Sequence, residues 1–231
     1  MDEGGWEQFG AALTGAPEGE PFSLATVCRG ITTLLPVCGA AIVLMGNRST
    51  QGIASTTDSL TASIQDLEFT LGEGPGIDAF SQVEVVCIHD LDSVAPRWAF
   101  FAPAASGLGV RSIYSLPLRS GRLAMGTVTL WSDQADGLDD SQQIDAVLVA
   151  ELVSGVVLTM QSKTASESLA WPLDLSDHRI VVHQATGMVA AQLSCAIDEA
   201  LVRLRAYAYA AELPMDEVAK AVVSRQLRFD R

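Results

Sequence analysis

Residues 178–193 read HRIVVHQATGMVAAQL, a run with the apolar spacing of an α-helix and a glycine near its centre. Glycine at such a position costs a helix about 1 kcal/mol relative to alanine. Arg179, His183 and Gly187 follow one another at intervals of four residues, so we expect them on one face of the helix. Gly187 either leaves a flat spot that another backbone can approach, or serves packing between two helices.

Two further helices are predicted downstream, over 196–211 and 214–227. Arg205 and Tyr209 are expected to share an outward face of the first of these helices. A guanidinium group suits a phosphate and an aromatic ring suits a stacked base, so this face favours nucleic-acid binding.

Charge is divided unevenly along the chain, whose net charge is −14. Residues 1–170 hold 20 Asp/Glu and 7 Lys/Arg, whereas residues 171–231 hold 8 and 7. Arg225 and Arg228 are predicted on one side of the last helix. They either bind phosphates or only complement the helix C-terminus. This asymmetry indicates two modules with different roles.

The first 163 residues mix short strands with helices. Strands are predicted at 38–46, 51–57, 83–91, 111–119 and 121–132, and helices at 22–36, 60–71, 96–110 and 139–163. The apolar stripe of the last helix is too wide for a simple surface helix. That helix either covers a sheet and also contacts a second copy of the chain, or is a core helix of a monomer.

The glycine-rich run LGEGPG (71–76) resembles a phosphate-binding loop only superficially. The third glycine of a dinucleotide fingerprint falls on Ile77, a helix rather than a strand is predicted before the run, and no Gly-Lys pair exists in the chain. We therefore predict a connecting turn, with Pro75 opening a short helix.

Catalytic and metal sites are poorly supported. The three histidines are His89, His178 and His183, and no G-x-S-x-G motif or metal-ligand set accompanies them. We predict no enzyme activity, no catalytic residues, no metal and no required cofactor. The four cysteines are scattered and are predicted to be free buried thiols, with a redox sensor as the alternative.

The chain shows no apolar run of the roughly 20 residues that a membrane helix needs. Its first residues are acidic and lack the pattern of a signal peptide. We predict a cytoplasmic protein that does not associate with membranes.

HQATGMVAAQL, followed by DEALVRLRAYAYAAELPMDEVAKAVVSRQLRF, resembles the ANTAR domain over about residues 177–229. The shared pattern is Ala-x-Gly-Met, then Glu-Ala-x-x-x-Leu-Arg-x-x-Ala, then Val-Ala-x-x-Val-Val. The resemblance implies a dimeric domain that binds paired RNA stem-loops in nascent leader transcripts and prevents transcription termination. Many ANTAR domains carry a lysine where this chain has Thr186.

LGEGPGIDAF, VVCIHDL, RWAFFAPAA and GVRSIYSLPLRSGRLAMGTVTLW resemble, in that order, a GAF domain over about residues 22–160. The resemblance implies an antiparallel sheet flanked by helices that holds a small ligand or a partner. The combination resembles the GAF–ANTAR regulators, in which a sensor controls RNA binding or dimerisation.

The expected fold is an α+β GAF-like domain followed by a small all-α domain of three helices. The predicted organisation is an N-terminal extension at 1–21, a sensor domain at 22–163, a linker at 164–176 and an RNA-binding domain at 177–231. The predicted RNA-binding residues are Arg179, His183, Gln184, Gly187, Arg203, Arg205, Tyr209, Lys220, Arg225 and Arg228. A ligand pocket is predicted at Phe80, Trp98, Phe101 and Tyr114.

The expected partners are structured RNA, a second copy of the chain and a small molecule in the sensor domain. The alternative function is a small-molecule or redox sensor whose C-terminal helices bind a protein instead of RNA.

Overall fold

A five-stranded antiparallel sheet organises the N-terminal part of the chain. The computed structural model describes residues 7, 9–11, 23–46, 51–94, 97–164 and 177–229. The strands lie in the order β2-β1-β5-β4-β3. They are β1 (Gly39–Met45), β2 (Gln51–Thr56), β3 (Val86–Ile88), β4 (Ser112–Ser120) and β5 (Leu123–Ser132). The predicted hairpins β1–β2 and β4–β5 both form, the second through Gly121 at φ +59°. The strand predicted over 83–91 shortens to β3, because a 3₁₀ turn follows at Leu91–Val94.

Five helices cover the two faces of this sheet within the described residues. They are α1 (Leu24–Leu34), α2 (Ser59–Leu71), α3 (Pro75–Gln82), α4 (Phe101–Gly107) and α5 (Asp140–Thr164). The helix predicted over 96–110 thus begins five residues later, at Phe101. Side chains alternate across each strand, so Leu116 and Val128 point into the core beneath α1 and α5, whereas Ile113 and Trp131 face α2 to α4. Phe9, from the predicted N-terminal extension, is fully buried in the first of these cores.

The helix α5 is apolar on more than one side, as its sequence predicts. Val149, Val153 and Val157 are fully buried against the sheet. Ile144 and Leu148 are 63% and 44% exposed. The prediction that no apolar run reaches the length of a membrane helix is wrong for α5. Its segment Asp140–Met160 has a mean hydropathy of 1.7 and is long enough to cross a membrane, a property that core helices share.

Three helices form the C-terminal part: α6 (Asp177–Leu193), α7 (Ile197–Ala210) and α8 (Met215–Val223). Their shared core includes Val182, Val189, Leu204 and Val222. The prediction that the last helix continues to 227 is wrong, because Arg225 adopts φ +63° and ends it. The chain then turns back, and Leu227 and Phe229 pack against the helical core. Arg225 and Arg228 therefore do not lie on one side of a helix.

The four cysteines are free, as predicted, but they are not all buried. Cys28 is buried, Cys87 and Cys195 are half-buried, and Cys38 is exposed with its thiol 3.3 Å from Asp133 Oδ1. The prediction of burial is therefore wrong for Cys38.

Candidate nucleic-acid interface

The centre of α6 presents an open spot at Gly187. This residue is exposed, and a Cβ atom built on it meets nothing within 4 Å among the described residues. Gly187 therefore does not serve helix packing within the described chain, and its flat face remains available. Thr186, at the position where a lysine is common in ANTAR domains, is buried and donates a 2.7 Å hydrogen bond to the Val182 carbonyl. A side chain at 186 points into the domain rather than toward solvent.

The other candidates on α6 divide between two environments. Gln184 is exposed. The His183 ring lies 5.5 Å from the ring of Phe69, a residue of the N-terminal domain. The backbone of Arg179 belongs to α6, but its side chain lies outside the described residues.

The face of α7 that carries Arg205 and Tyr209 is predicted to point outward, and the structure confirms this only for Tyr209. Tyr209 is 69% exposed, whereas Arg205 is half-buried against the N-terminal domain. The Arg205 guanidinium donates a hydrogen bond to the main-chain carbonyl of Phe69. Burial lowers the pKa of Arg205 to about 10, so the group stays charged at neutral pH. The Tyr209 ring contacts the ring of Phe100 at 5.2 Å between centroids.

The remaining cations of this domain lie on its exposed surface. Arg203 pairs with Glu199 at 2.9 Å, the i, i+4 pair expected on α7. Lys220 pairs with Asp216 at 2.8 Å, and the hydrogen bond and charge of Asp216 raise the pKa of Lys220. Arg225 and Arg228, after the end of α8, are also exposed. At least four cationic groups of this domain are therefore accessible, two of them paired with carboxylates.

The contact between the two domains is the feature that sequence reasoning missed. Phe69 is 2% exposed and belongs to the hydrophobic cluster of the C-terminal helices, although it lies on α2. A phenylalanine on an amphipathic helix carries no local signal of which domain it will pack against. The exposed Phe100, directly before α4, also gives no such signal until Tyr209 is placed beside it.

The four residues predicted to line a ligand pocket do not come together. Trp98 and Phe101 contact each other at 6.2 Å in the core beneath α2 to α4. Phe80 is half-buried on α3. Tyr114 lies on the opposite face of the sheet, where its hydroxyl accepts a 3.1 Å hydrogen bond from the Leu138 N–H. Alternation along β4 places Tyr114 away from the other three.

A layer of buried polar groups lies instead on the sheet face that α2 to α4 cover. Ser115 and Thr129 share a 3.0 Å hydrogen bond between their hydroxyls. Thr127, also fully buried, has no partner for its hydroxyl within the described part of the chain. The buried carboxylate of Glu68 accepts a 2.6 Å hydrogen bond from the Gly76 N–H. This polar layer is a more suitable place for a polar ligand than the predicted aromatic set.

Metal-ligand geometry is absent from the residues that the structure describes, where no group of three or more His, Cys, Asp or Glu side chains could hold an ion. His89 lies 3.6 Å from Asp136, and its ring contacts that of Tyr114 at 5.8 Å between centroids.

Comparison with known proteins agrees with both halves of this architecture. The sequence model of the ANTAR domain family matches residues 176–223. The chain is 28% identical over 131 residues, 56% of its length, to the anaerobic nitric oxide reductase transcription regulator NorR of Klebsiella pneumoniae (strain 342). That match spans only 25% of the regulator.

Two solved GAF domains share the fold of the N-terminal part. The GAF domain of a phosphoenolpyruvate-protein phosphotransferase from Coxiella burnetii superposes with a TM-score of 0.53 at 13% identity, covering 70% of this chain and 95% of that one. The corresponding domain from Acinetobacter gives 0.50 at 13% identity, covering 70% and 97%. The chain thus joins a domain of the GAF fold to a C-terminal ANTAR domain, the arrangement of the GAF–ANTAR regulators.

Proposed function

We propose that this protein is an RNA-binding regulator that acts by transcription antitermination at leader stem-loops. The observation that carries the proposal is the ANTAR match over 176–223, which coincides with the three helices α6 to α8. These helices and the residues after them carry the exposed cations Arg203, Lys220, Arg225 and Arg228.

Electrostatics supports the C-terminal domain as the RNA-binding part. The first 170 residues are strongly acidic and would repel a polyanion, whereas residues 171–231 are nearly neutral. The open face at Gly187 and the exposed Gln184 add a surface on which an RNA backbone can lie close to α6. Arg179, whose side chain lies outside the described residues, is proposed to extend this surface.

The N-terminal domain is proposed to receive a signal, as a small ligand or a partner. Its buried polar layer, with the hydroxyl of Thr127 lacking a partner among the described residues, supports a ligand that offers a hydrogen bond there. Nothing in this role requires catalysis, and we propose a cytoplasmic regulator that is not an enzyme.

A homodimer is proposed through α5. Ile144, Leu148 and Leu152 follow one another at intervals of four residues and are 63%, 44% and 45% exposed. A second copy of the same helix would cover this stripe in an isologous contact.

The decisive experiment is to crosslink the protein to RNA in cells and to sequence the RNA that co-purifies. We expect leader transcripts with paired stem-loops upstream of terminators. Binding to a recovered leader should weaken steeply with salt, and Arg225→Ala with Arg228→Ala should reduce both the affinity and the salt slope. Arg122→Ala, which removes an exposed arginine from the β4–β5 turn, is the matched control.

Recovery of no RNA above the background of a mock purification would contradict the proposal. Recovery of one protein partner in its place would favour the alternative in which the C-terminal helices bind protein.

A further inference from the structure

The contact between the domains involves two residues of α7 that are proposed to bind RNA, the half-buried Arg205 and the exposed Tyr209. Arg205 directs its guanidinium at the Phe69 carbonyl and lies against Gly72, where an added Cβ would be 2.6 Å from Arg205 Nη1. A cation held in this way is partly removed from water and already has its acceptor. Nη2 is engaged by the Phe69 carbonyl and Nε is buried, so neither is accessible to a phosphate while the contact holds.

Two aromatic contacts between the domains accompany the Arg205 contact. Phe69 contacts the His183 ring and also lies under the Arg205 guanidinium, with 5.8 Å between Cζ and the ring centroid. Phe100 contacts the Tyr209 ring. Three of the ten residues predicted to bind RNA are therefore engaged by the N-terminal domain.

A groove beside Phe69 carries carboxylates of both domains, of which Asp216 is paired with Lys220. The groove at the junction is lined by Asp66 of α2 and Asp216 of α8, beside Phe69 and Met215. An RNA strand entering there would approach carboxylates of both domains.

The two parts of the N-terminal domain that hold α7 are tied to each other. Glu73 follows Gly72 at the end of α2, and its Oε1 accepts hydrogen bonds of 2.7 and 2.9 Å from the N–H groups of Phe100 and Phe101. One carboxylate thus couples the α2 terminus, which holds Arg205, to the α4 terminus, which holds Tyr209. A displacement at this turn would move both contacts together.

We propose that this arrangement is an autoinhibited state, in which the GAF-fold domain holds Arg205 and His183 away from RNA and restrains the exposed Tyr209 ring through Phe100. The inference rests on the proposed RNA-binding function. It makes the turn Gly72–Glu73 the place where a signal received by the N-terminal domain releases the ANTAR domain.

The test uses the full-length chain with substitutions only on the N-terminal side of the contact. Phe100→Ala removes a 48% exposed ring that contacts Tyr209, and Phe69→Ala removes the ring that enters the C-terminal core. Leu123→Ala, which shortens an exposed side chain at the start of β5, is the control. The probe is a fluorescent pool of RNA hairpins with randomised loops.

Opening the contact should raise the affinity for the hairpin pool by about tenfold, within the 5- to 150-fold range usual for coupled sites. Amide hydrogen exchange at 66–72 and 200–209 should accelerate in both variants and not in Leu123→Ala. By linkage, saturating the wild-type chain with the RNA pool should accelerate exchange at 66–72.

Equal RNA affinity in the wild type and in the variants with accelerated exchange would overturn the autoinhibition and leave the proposed function intact. If Phe69→Ala fails to fold, Phe100→Ala alone decides between these results. Failure of every variant to bind the hairpin pool and the recovered leaders would instead overturn the proposed function, and the autoinhibition with it.

Discussion

The carboxylate of Glu68, in the last turn of α2, accepts a hydrogen bond from the main-chain N–H of Gly76, in the first turn of α3. This contact explains the glycines of LGEGPG without any phosphate. A Cβ atom on Gly74 or Gly76 would lie 2.5 or 2.6 Å from the Glu68 carboxylate, so a larger residue at either position would displace that carboxylate. Gly72 adopts φ +71° and ends α2 in the left-handed conformation that glycine favours.

Replacing Glu68 with alanine should lower the free energy of unfolding by about 1–3 kcal/mol, because the buried Gly76 N–H loses its acceptor. Denaturant unfolding followed by circular dichroism measures the change. Glu84→Ala, at an exposed position of the same domain, should stay within about 0.5 kcal/mol of the wild type. Equal effects of the two substitutions would mean that the Glu68 contact does not stabilise the fold.

Thr127 and Thr129 should respond oppositely to substitution by valine. Thr127→Val removes a buried hydroxyl without a partner among the described residues, so stability should be unchanged or rise by about 1 kcal/mol. Thr129→Val leaves the buried hydroxyl of Ser115 without its partner and should cost about 1–3 kcal/mol. Thermal unfolding of the two variants, measured in parallel, tests these expectations. A large loss of stability in Thr127→Val would show that this hydroxyl has a hydrogen-bond partner.

Gly187→Ala should raise the stability of the protein and lower its affinity for RNA. Because an added methyl meets nothing within 4 Å, the variant should gain up to about 1 kcal/mol in unfolding free energy. If the flat face contacts RNA, the same methyl should weaken binding to a recovered leader. Gly155→Ala, at a second helical glycine with nothing within 4 Å, measures the stability gain in a helix outside the proposed RNA-binding domain. Unchanged RNA affinity in Gly187→Ala would remove Gly187 from the interface.

Alkaline pH should destabilise the protein through Cys28. Burial raises the pKa of this thiol from 9.0 to about 12, so between these values the folded chain keeps a proton that the unfolded chain has lost. Stability from this group is complete below pH 9 and falls above it, by up to about 1.4 kcal/mol per pH unit.

Urea unfolding under reducing conditions, at about pH 8 and about pH 10, measures this loss. Cys28→Ala should show a smaller loss between the two pH values, whereas Cys38→Ala, at an exposed cysteine, should behave as the wild type. An identical loss in all three proteins would exclude Cys28 as its source.

Leu148→Glu should convert a dimer into monomers, because it places a charge in the exposed apolar stripe of α5. Sedimentation velocity over a range of concentrations measures the molecular mass. Leu123→Glu, at a 68% exposed leucine outside this helix, is the control. A wild-type chain that sediments as a monomer at all concentrations would contradict the proposed homodimer.

Much of the fold could be read from local pattern. The apolar run closed by Gly46 and the Ser120–Gly121 turn predict β1 and the β4–β5 hairpin, because alternation and turn chemistry are properties of adjacent residues. The end of α8 could not be predicted from local pattern. Its termination depends on Leu227 and Phe229 returning to a core that distant residues build.

The candidate site was predicted in its residue types but not in its surroundings. Arg205 and Tyr209 do share a face of α7, as helical spacing requires. Their engagement by Phe69 and Phe100 joins residues more than a hundred positions apart, and no periodicity reports such a contact. The four predicted pocket residues are separated for a similar reason. The pairing of β4 within the sheet determines which face Tyr114 occupies, and no local pattern reports that pairing.

Phe69 also limits what an isolated fragment of the C-terminal helices can show about the intact chain. A fragment that begins at α6 loses this ring from its own hydrophobic cluster and leaves Val182 and Met215 with an uncovered notch between them. Such a fragment would be prone to self-association at that notch, and a dimer observed with it would not report the oligomeric state of the intact chain.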